Sequence, residues 1–534
     1  MFVVSTGQMQ AAERAADAAG LSYDQMMENA GICVAQAIMA AMDVAGLPVV
    51  VLVGPGNNGG DGLVVARHLV QAGADVTTYV WKRNVEGDPN WVRLNETGVR
   101  RIFWADDDRQ QQLAGLLAES AIIVDALLGT GVSRPIEGTL AQLLDKTRAA
   151  VDARRAPRDG VLVEPARPTD EPELGPLVVA LDVPSGLNSD TGAVDPHTLP
   201  ADLTVTLAAV KRGHILLPGP DMVGQLVVGD IGLGRANYPA ESLPEMATPA
   251  KVARLLPARP ASAHKGTFGT ALIAAGSMNY TGAAVLAGQA ATRAGAGLVT
   301  MAIPQTIYPV VAGWLAEATY LSLPDEAGYL APAAASDIRA GFGRATVLLV
   351  GPGLGHTEST AAFVRQLLQA DDLPPLVLDA DALNILARQP NWWTLLPPGC
   401  ILTPHPGEMA RLTGDSTREV QANRLELAPE MARKWGQVVL LKGAYTVVAA
   451  PDGRVMVLPF ANPAMAKGGS GDVLAGAIAA LRAQGLASFE AAVAGGYLHG
   501  LAGEMAREEL GVAGVVAGDL AGLLPDAFLA VTGD

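Results

Sequence analysis

The chain has 534 residues, half of them apolar and 17% charged, with a formal net charge of −17. That length exceeds one ordinary core, so two domains of roughly 250 residues are expected, and the acidic balance excludes general nucleic-acid binding because phosphate-neutralising basic clusters are missing. Two cysteines, Cys33 and Cys400, make no disulfide framework; with no signal-like leader and no apolar run of membrane-spanning length, a soluble cytoplasmic protein without a membrane partner is expected.

Ser5-x-x-Gln8 and Ser22-x-x-Gln25 are capping-box spacings that open two alanine- and methionine-rich helices, the first closed by Gly20 and the second running to about Gly46. The unbroken run Val49–Val53 reads as a strand buried on both faces. It leads into Gly54-Pro55-Gly56-Asn57-Asn58-Gly59-Gly60-Asp61-Gly62, with a helix expected from Leu63 to Gln71. Strand, glycine loop and helix is the phosphate-binding arrangement of doubly wound sheets, and the paired Asn and the Asp add oxygens for hydroxyls or a cation. A tight structural turn is the ordinary alternative. Further strands are expected at 76–80, 121–125 and 178–182, placing Asp125 and Asp182 at strand ends, followed by Gly129-Thr130-Gly131-Val132-Ser133-Arg134-Pro135 and by Val183-Pro184-Ser185-Gly186. Asn58, Asp125 and Ser185 thus converge on one sheet edge, and their oxygens suit a weakly bound hard cation such as K⁺ better than zinc. Residues 151–175, rich in Arg, Pro, Asp and Glu, read as an inserted surface loop.

Prolines at 239, 244, 249, 257 and 260 mark a junction. The expected boundaries are therefore a domain over 1–235, a linker over 236–260 and a second domain over 261–534. Beyond the junction come Lys265-Gly266-Thr267-Phe268-Gly269, a strand at 270–275 and a helix over 281–294 with Gly282-Ala283 at its start. The strand at 346–350 ends in Gly351-Pro352-Gly353-Leu354-Gly355, and the strand at 376–379 ends in Asp379 and Asp381. His405-Pro406-Gly407-Glu408 and Leu441-Lys442-Gly443 follow. Alone, His405 reads as a shaped turn and Lys442 as a solvated strand end. The last element of the series is Gly468-Gly469-Ser470-Gly471-Asp472, running into a helix over 473–481. A glycine loop at a helix N-terminus holds anions through free N–H groups and the positive end of the helix dipole, which would also favour the ionised form of Asp472 as a base.

The first set of motifs resembles the NAD(P)H-hydrate epimerase family, the YjeF N-terminal domain, over about residues 1–235. That resemblance implies that Asn57, Asn58, Gly59, Gly60 and Asp61, then Gly129, Thr130, Gly131, Val132, Ser133, Arg134 and Pro135, and Asp182, contact the hydrated dinucleotide. It implies K⁺ on Asn58, Asp125 and Ser185, and makes Asp182 the candidate proton-handling group. The second set resembles the ribokinase-like superfamily, and most specifically the nucleotide-dependent NAD(P)H-hydrate dehydratases, over about residues 250–534. By that resemblance Ala283, Gly353, His405 and Asp472 meet the hydrate, and Lys442, Gly443, Ala444, Tyr445, Thr446 and Gly471 hold the adenosine nucleotide, with Asp472 catalytic. The expected fold is α/β in two domains, a Rossmann-like doubly wound α/β/α sandwich and a ribokinase-like α/β/α domain. The expected function is repair of hydrated NADH and NADPH: epimerisation of the R and S hydrates, and dehydration of the S form with ADP and Mg²⁺. Two rivals stand beside it, a small-molecule kinase in the second half and a non-catalytic nucleotide-binding module in the first. A homo-oligomer is expected, the helix at Tyr23–Met42 being either core or subunit interface.

Overall fold

Runs such as Val49–Val53 can leave neither face in water, and in the computed structural model they become the middle of parallel sheets with helices on both sides. The structure describes residues 1–131, 134–155, 175–239 and 243–533, which fall into two units, Met1–Leu243 and Pro244–Asp534. Among the described residues of the first unit, seven strands form one sheet: β1 Pro48–Val53, β2 Asp75–Val80, β3 Arg100–Phe103, β4 Ile122–Ala126, β5 Leu177–Leu181, β6 Leu203–Leu207 and β7 Gln225–Gly229. Their order is β3-β2-β1-β4-β5-β6-β7 and every pairing is parallel. Alternation along β1 splits the core in two. Val49, Val51 and Val53 join Met26, Val34 and Ile38 of helix α2 (Tyr23–Ala41), whereas Val50 and Leu52 join Leu140, Leu143 and Leu144 of a helix at Thr139–Arg155 on the opposite face. Such side chains contribute about 1.5–3 kcal/mol each on full burial. The strand order reverses direction between β1 and β4, the switch point at which open α/β sheets carry a crevice.

Helix α1 (Thr6–Ala18) starts on a complete capping box at Ser5. At Ser22 only half of the box forms, because the Gln25 side chain bonds Asn29 instead, and α2 ends at Ala41, short of Gly46. Helix α3 spans Asn57–Gln71, so it begins six residues before the expected Leu63 and takes the glycine run into its first turns. The helix can start that early because it lies against the chain leaving β1: a Cβ on Gly59 would strike the Gly54 carbonyl. The expected insertion loses its first five residues to helix α4 (Thr139–Arg155), and 156–174 lie outside the described residues.

In the second unit ten strands form a sheet among the described residues: β8 Glu245–Met246, β9 Thr270–Ala274, β10 Leu298–Pro304, β11 Thr319–Leu323, β12 Val347–Val350, β13 Leu376–Leu378, β14 Ile401–Leu402, β15 Val438–Leu441, β16 Val447–Ala449 and β17 Val455–Val457. The order is β8-β17-β16-β15-β14-β13-β12-β9-β10-β11. All pairings are parallel except the β15–β16–β17 meander. Here the switch point falls between β9 and β12. Part of the expected linker is structured: β8 joins the sheet and Pro249–Leu255 is helical, its Val252 in the core. Helices α5 (Thr281–Arg293), α6 (Pro406–Thr413), α7 (Arg424–Trp435), α8 (Ser470–Ala483), α9 (Ser488–Gly514) and α10 (Ala517–Thr532) follow in chain order. Alanines of α5, α8, α9 and α10 fill that core with little bulk, which lets helices approach closely.

Candidate functional site

In the first unit the segments leaving β1, β4 and β5 meet. Ser185 donates its Oγ–H to Asp125 Oδ1 at 2.6 Å and its N–H to Asp125 Oδ2 at 2.8 Å. The Leu128 N–H donates to Ser185 Oγ at 2.9 Å, and Asn58 Nδ2 donates to the Leu128 carbonyl at 2.8 Å. Asn58, Asp125 and Ser185 are therefore brought together. Asp125 is 1% exposed. Burial raises its pKa, and the hydrogen bonds from Ser185 and Leu127 oppose that rise only in part. Gly129 sits against Asn58, while Arg134 and Pro135 lie exposed; Val132 and Ser133 fall outside the described residues.

Asp182 follows β5 with φ of 66°, a left-handed conformation costly for a residue with a Cβ and the kind of strain that functional sites store. Its Oδ1 accepts from Lys211 Nζ at 2.5 Å, from Thr206 Oγ1 at 3.0 Å and from the Leu207 N–H at 3.0 Å. Burial alone would raise its pKa, but the Lys211 ammonium outweighs burial and holds the carboxyl below its ordinary value. Asp61, in the first turns of α3, is pushed the other way. Burial raises it well above the ordinary range, and the charges of Asp182 and Glu13 add to the rise. Two carboxyl groups of one site are thus driven apart, one toward the acid and one toward the anion. Arg83 completes the rim by donating to the Gly54 and Gly56 carbonyls at 3.2 and 2.7 Å.

In the second unit the segments after β9 and β12 touch across the switch point. Gly353 has φ of 61°, and a Cβ there would come within 2.7 Å of Ala283 Cβ and 2.8 Å of Tyr280 Cβ, so both backbone angle and space demand glycine. Lys442, at the end of β15, donates to Asp379 Oδ1 at 2.7 Å, and Thr403 Oγ1 donates to the same oxygen at 2.7 Å. Glu408 Oε2 stands 4.0 Å from the ammonium. His405 is the N-cap of α6, accepting from the Gly407 and Glu408 N–H groups at Nδ1, while Glu408 returns the bond to the His405 N–H at 2.8 Å. The expected turn histidine thus makes a complete capping box, and burial with the nearby Lys442 charge lowers its pKa.

Helix α8 begins at Ser470, with Gly469 as its N-cap at φ of 94°, so Asp472 is the third helical residue. The helix end does not keep its carboxyl at low pKa. Burial and the Asp379, Asp381 and Glu408 charges raise it to about 7 against the opposing pull of Lys442. Glu408 is likewise pushed to about 7, first by burial and then by Asp379, with Lys442 opposing. Lys442 itself is held above its ordinary value: burial alone would lower it, and Asp379 and Glu408 reverse that. A Cβ on Gly471 would sit 3.3 Å from Lys442 Nζ, so the glycine loop faces this cluster. Gly443, Ala444, Tyr445 and Thr446 form the β15–β16 turn, closed by Thr446 Oγ1 on the Gly443 carbonyl at 2.9 Å and by the Tyr445 N–H on the Phe460 carbonyl at 2.8 Å.

Sequence reasoning missed several of these groups. Thr206 lies within β6 and Lys211 just beyond it, with no motif to mark either, and Glu13 looks like the polar face of α1. Arg424 carries no sequence signal, yet it is buried and donates to the carbonyls of Leu441, Lys442 and Ala444 at 3.1, 3.2 and 2.7 Å. Lys467, which a phosphate-loop reading would turn toward an anion, instead donates to the Ala513 and Val515 carbonyls at 2.6 and 2.5 Å. Among the described residues no three His, Cys, Asp or Glu side chains are placed to hold a metal ion, and no helix is long and apolar enough to cross a membrane.

A family model described as NAD(P)H-hydrate dehydratase matches residues 271–526, and one described as YjeF-related protein N-terminus matches residues 23–213. The chain is 38% identical to the bifunctional NAD(P)H-hydrate repair enzyme of Moorella thermoacetica, over 98% of this chain and 96% of that one. It is 33% identical to the enzyme of the same name from Escherichia coli, over 95% of this chain and 90% of that one. Among solved structures it is similar to the ADP/ATP-dependent NAD(P)H-hydrate dehydratase from Bacillus subtilis co-crystallised with ATP/Mg²⁺, at 35% identity and a TM-score of 0.46, covering 54% of this chain and 98% of that one. With relatives of one kind matched through both units and nearly end to end, this chain belongs to the family of bifunctional NAD(P)H-hydrate repair enzymes.

Proposed function

We propose that the second unit dehydrates the S hydrates of NADH and NADPH with ADP, releasing AMP and phosphate, and that the first unit interconverts the R and S hydrates to feed it. The observation that carries this reading is Asp472, a carboxyl with a pKa of about 7 at a helix N-terminus, facing an ammonium in the crevice at the strand ends. Hydroxide leaves poorly, so the hydroxyl on the ring carbon beside the nitrogen must first be activated. Asp472 takes its proton while the oxygen attacks the terminal phosphoryl of ADP. Free N–H groups of the Gly468–Gly471 loop and Lys442 stabilise the charge on the phosphoryl group. The ring nitrogen lone pair then expels phosphate, and loss of the C5 proton restores the dihydronicotinamide. Ala283, Gly353 and His405 line the hydrate side, and Lys442 to Thr446 with Gly471 line the nucleotide side. Mg²⁺ fits on Asp379 Oδ2, which accepts no hydrogen bond among the described residues, and on Glu408, the few carboxylates that this ion takes beside phosphate. When bound it would neutralise phosphate charge.

In the first unit Asn57 to Asp61, Gly129 to Pro135 and Asp182 contact the hydrated dinucleotide, and Asp182 handles the proton. K⁺ fits Asn58, Asp125 and Ser185. Asp125 is buried with none of the ion pairs of the described residues to neutralise it, and the set offers one carboxylate among neutral oxygens. Bound there, K⁺ would supply that missing charge. The enzyme acts as a cytoplasmic homo-oligomer, a state that light scattering on the eluted protein measures. The direct test mixes the hydrates with ADP and follows NADH absorbance. S hydrate is expected to be consumed at once and R hydrate only as fast as it epimerises; a stable phosphorylated hydrate accumulating without NADH would overturn the assignment.

A further inference from the structure

All three hydrogen bonds that the Asp182 carboxylate accepts among the described residues fall on one oxygen. Lys211 Nζ, Thr206 Oγ1 and the Leu207 N–H converge on Oδ1, and Oδ2 receives none. Lys211 is 1% exposed, and its other two contacts, Thr206 Oγ1 at 3.0 Å and the Leu207 carbonyl at 2.8 Å, complete its three N–H groups. The ammonium therefore reaches neither solvent nor ligand. Its backbone is fixed too, since Val210–Lys211 pairs in parallel with Val3–Val4 just before the Ser5 cap of α1.

We propose that Lys211 is a positioning residue of the epimerase site: with Thr206 it anchors Asp182 by Oδ1, leaving Oδ2 as the oxygen that exchanges a proton with the hydroxyl on the hydrate's C6. The inference rests on the reading of the first unit as the epimerase and deepens it. The hydrate carries hydroxyl and ring nitrogen on the same carbon. Oδ2 takes the hydroxyl proton, the C6–O bond becomes a carbonyl, and the C6–N1 bond breaks with its electron pair passing to N1, delocalised through the C2=C3 bond onto the carboxamide. Rotation about C5–C6 presents the other carbonyl face. N1 re-adds, and Asp182 returns the proton to oxygen, with no net change in atoms or electrons. One carboxylate suffices, provided it is ionised at neutral pH. Lys211 secures that against the charges around it, which are Asp61 on α3 and Glu13 on α1, with His214 held neutral by burial.

The test is the pH profile of epimerisation by the full-length enzyme, followed by chiral separation of the hydrates with no adenine nucleotide added and the spontaneous rate subtracted. Lys211→Met is expected to move the acid limb of kcat/KM up by about one pH unit or more, as loss of a close opposite charge does for a carboxylate. Activity should fall roughly five- to tenfold about one pH unit below the shifted limb and recover toward wild type on its alkaline side. Lys211→Arg, which keeps the charge, should leave the limb in place. Thr206→Val should move it the same way by less, and it stands in if Lys211→Met does not fold. A uniform loss at every pH with the limb unmoved, or a wild-type profile, overturns the proposal. Asp182→Asn separates the two levels: full epimerisation in that variant would remove Asp182 as the base, whatever Lys211 does.

Discussion

Each unit ends a strand in an aspartate that a lysine and a threonine from the following strands hold by one oxygen. In the first unit these are Asp182, Lys211 and Thr206; in the second, Asp379, Lys442 and Thr403. The clamps differ in what the lysine has left. Lys211 is saturated by Asp182, Thr206 and the Leu207 carbonyl. The Lys442 ammonium makes one hydrogen bond among the described residues, to Asp379, and faces Glu408 and Asp472 with N–H groups to spare. The same device can therefore do two jobs. On the proposed assignment, the aspartate is the reactive partner where the ammonium is sealed. Where it is open, the ammonium is free to meet phosphate oxygens, and a different carboxylate, Asp472, is the proposed base.

The harshest way to break that comparison is to remove each unit's proposed base in turn. Asp472→Asn is expected to lower nucleotide-dependent dehydration by about 10²–10⁴-fold, the usual worth of a positioned base, with hydrate binding and epimerisation kept. Asp182→Asn should do the reverse, abolishing epimerisation while S hydrate is dehydrated as before. Loss of both activities in either variant would mean that the two clamps do not serve separate reactions.

Lys442→Met sharpens the contrast on a smaller scale. In the wild type Asp472 must be ionised to act, and with a pKa of about 7 dehydration should rise as pH increases through 7. Lys442 lowers that pKa, so its removal should shift the limb to higher pH and reduce the rate at pH 7 by roughly tenfold, beyond any loss of nucleotide affinity. Saturating ADP restores affinity but not the limb, which distinguishes the two effects. Weaker still is the response to K⁺. KCl, but not choline chloride, should raise the melting temperature of the first unit's transition, by up to about 2.7 kcal/mol of stabilisation at a hundredfold excess over Kd, and Asp125→Asn should erase the response.

How much of this could be read from the chain follows from the range of the interactions. The strands were legible because burial on both faces demands runs such as Val49–Val53, and the ligand edge was legible because Asn58, Asp125, Ser185, Gly353 and Asp472 all sit where a strand or loop changes direction. The start of α3 was not. Glycines suggest a loop locally, and only the close approach of Gly59 to Gly54 explains why they are helical. The anion-favouring expectation for Asp472 failed for a similar reason. The helix end is a neighbour in sequence, but Asp379, Asp381 and Glu408 are neighbours only in space, and with burial they win. Lys211 lies 29 residues from Asp182 and Lys442 lies 63 from Asp379, so neither clamp has a local pattern.

The least legible member of the second site also makes the smallest prediction. Arg424 on α7 has no carboxylate partner among the described residues, and burial lowers its pKa to about 10, still high enough to keep it charged at neutral pH. A buried cation without a counter-ion is tolerated only if it is well hydrogen-bonded. Here the guanidinium forks onto the Leu441, Lys442 and Ala444 carbonyls, which are the start of the nucleotide turn. A lysine keeps the charge but offers no planar fork, so Arg424→Lys should leave the turn loosely held. Hydrogen bonds to a charged group are worth about 1.5–3 kcal/mol, and one such loss corresponds to a roughly tenfold higher KM for ADP. Because Arg424 touches neither Asp472 nor the Gly353 side, kcat and the KM for hydrate should stay within about twofold. A fall in kcat with the KM for ADP unchanged would place Arg424 behind the catalytic clamp and not behind the nucleotide turn.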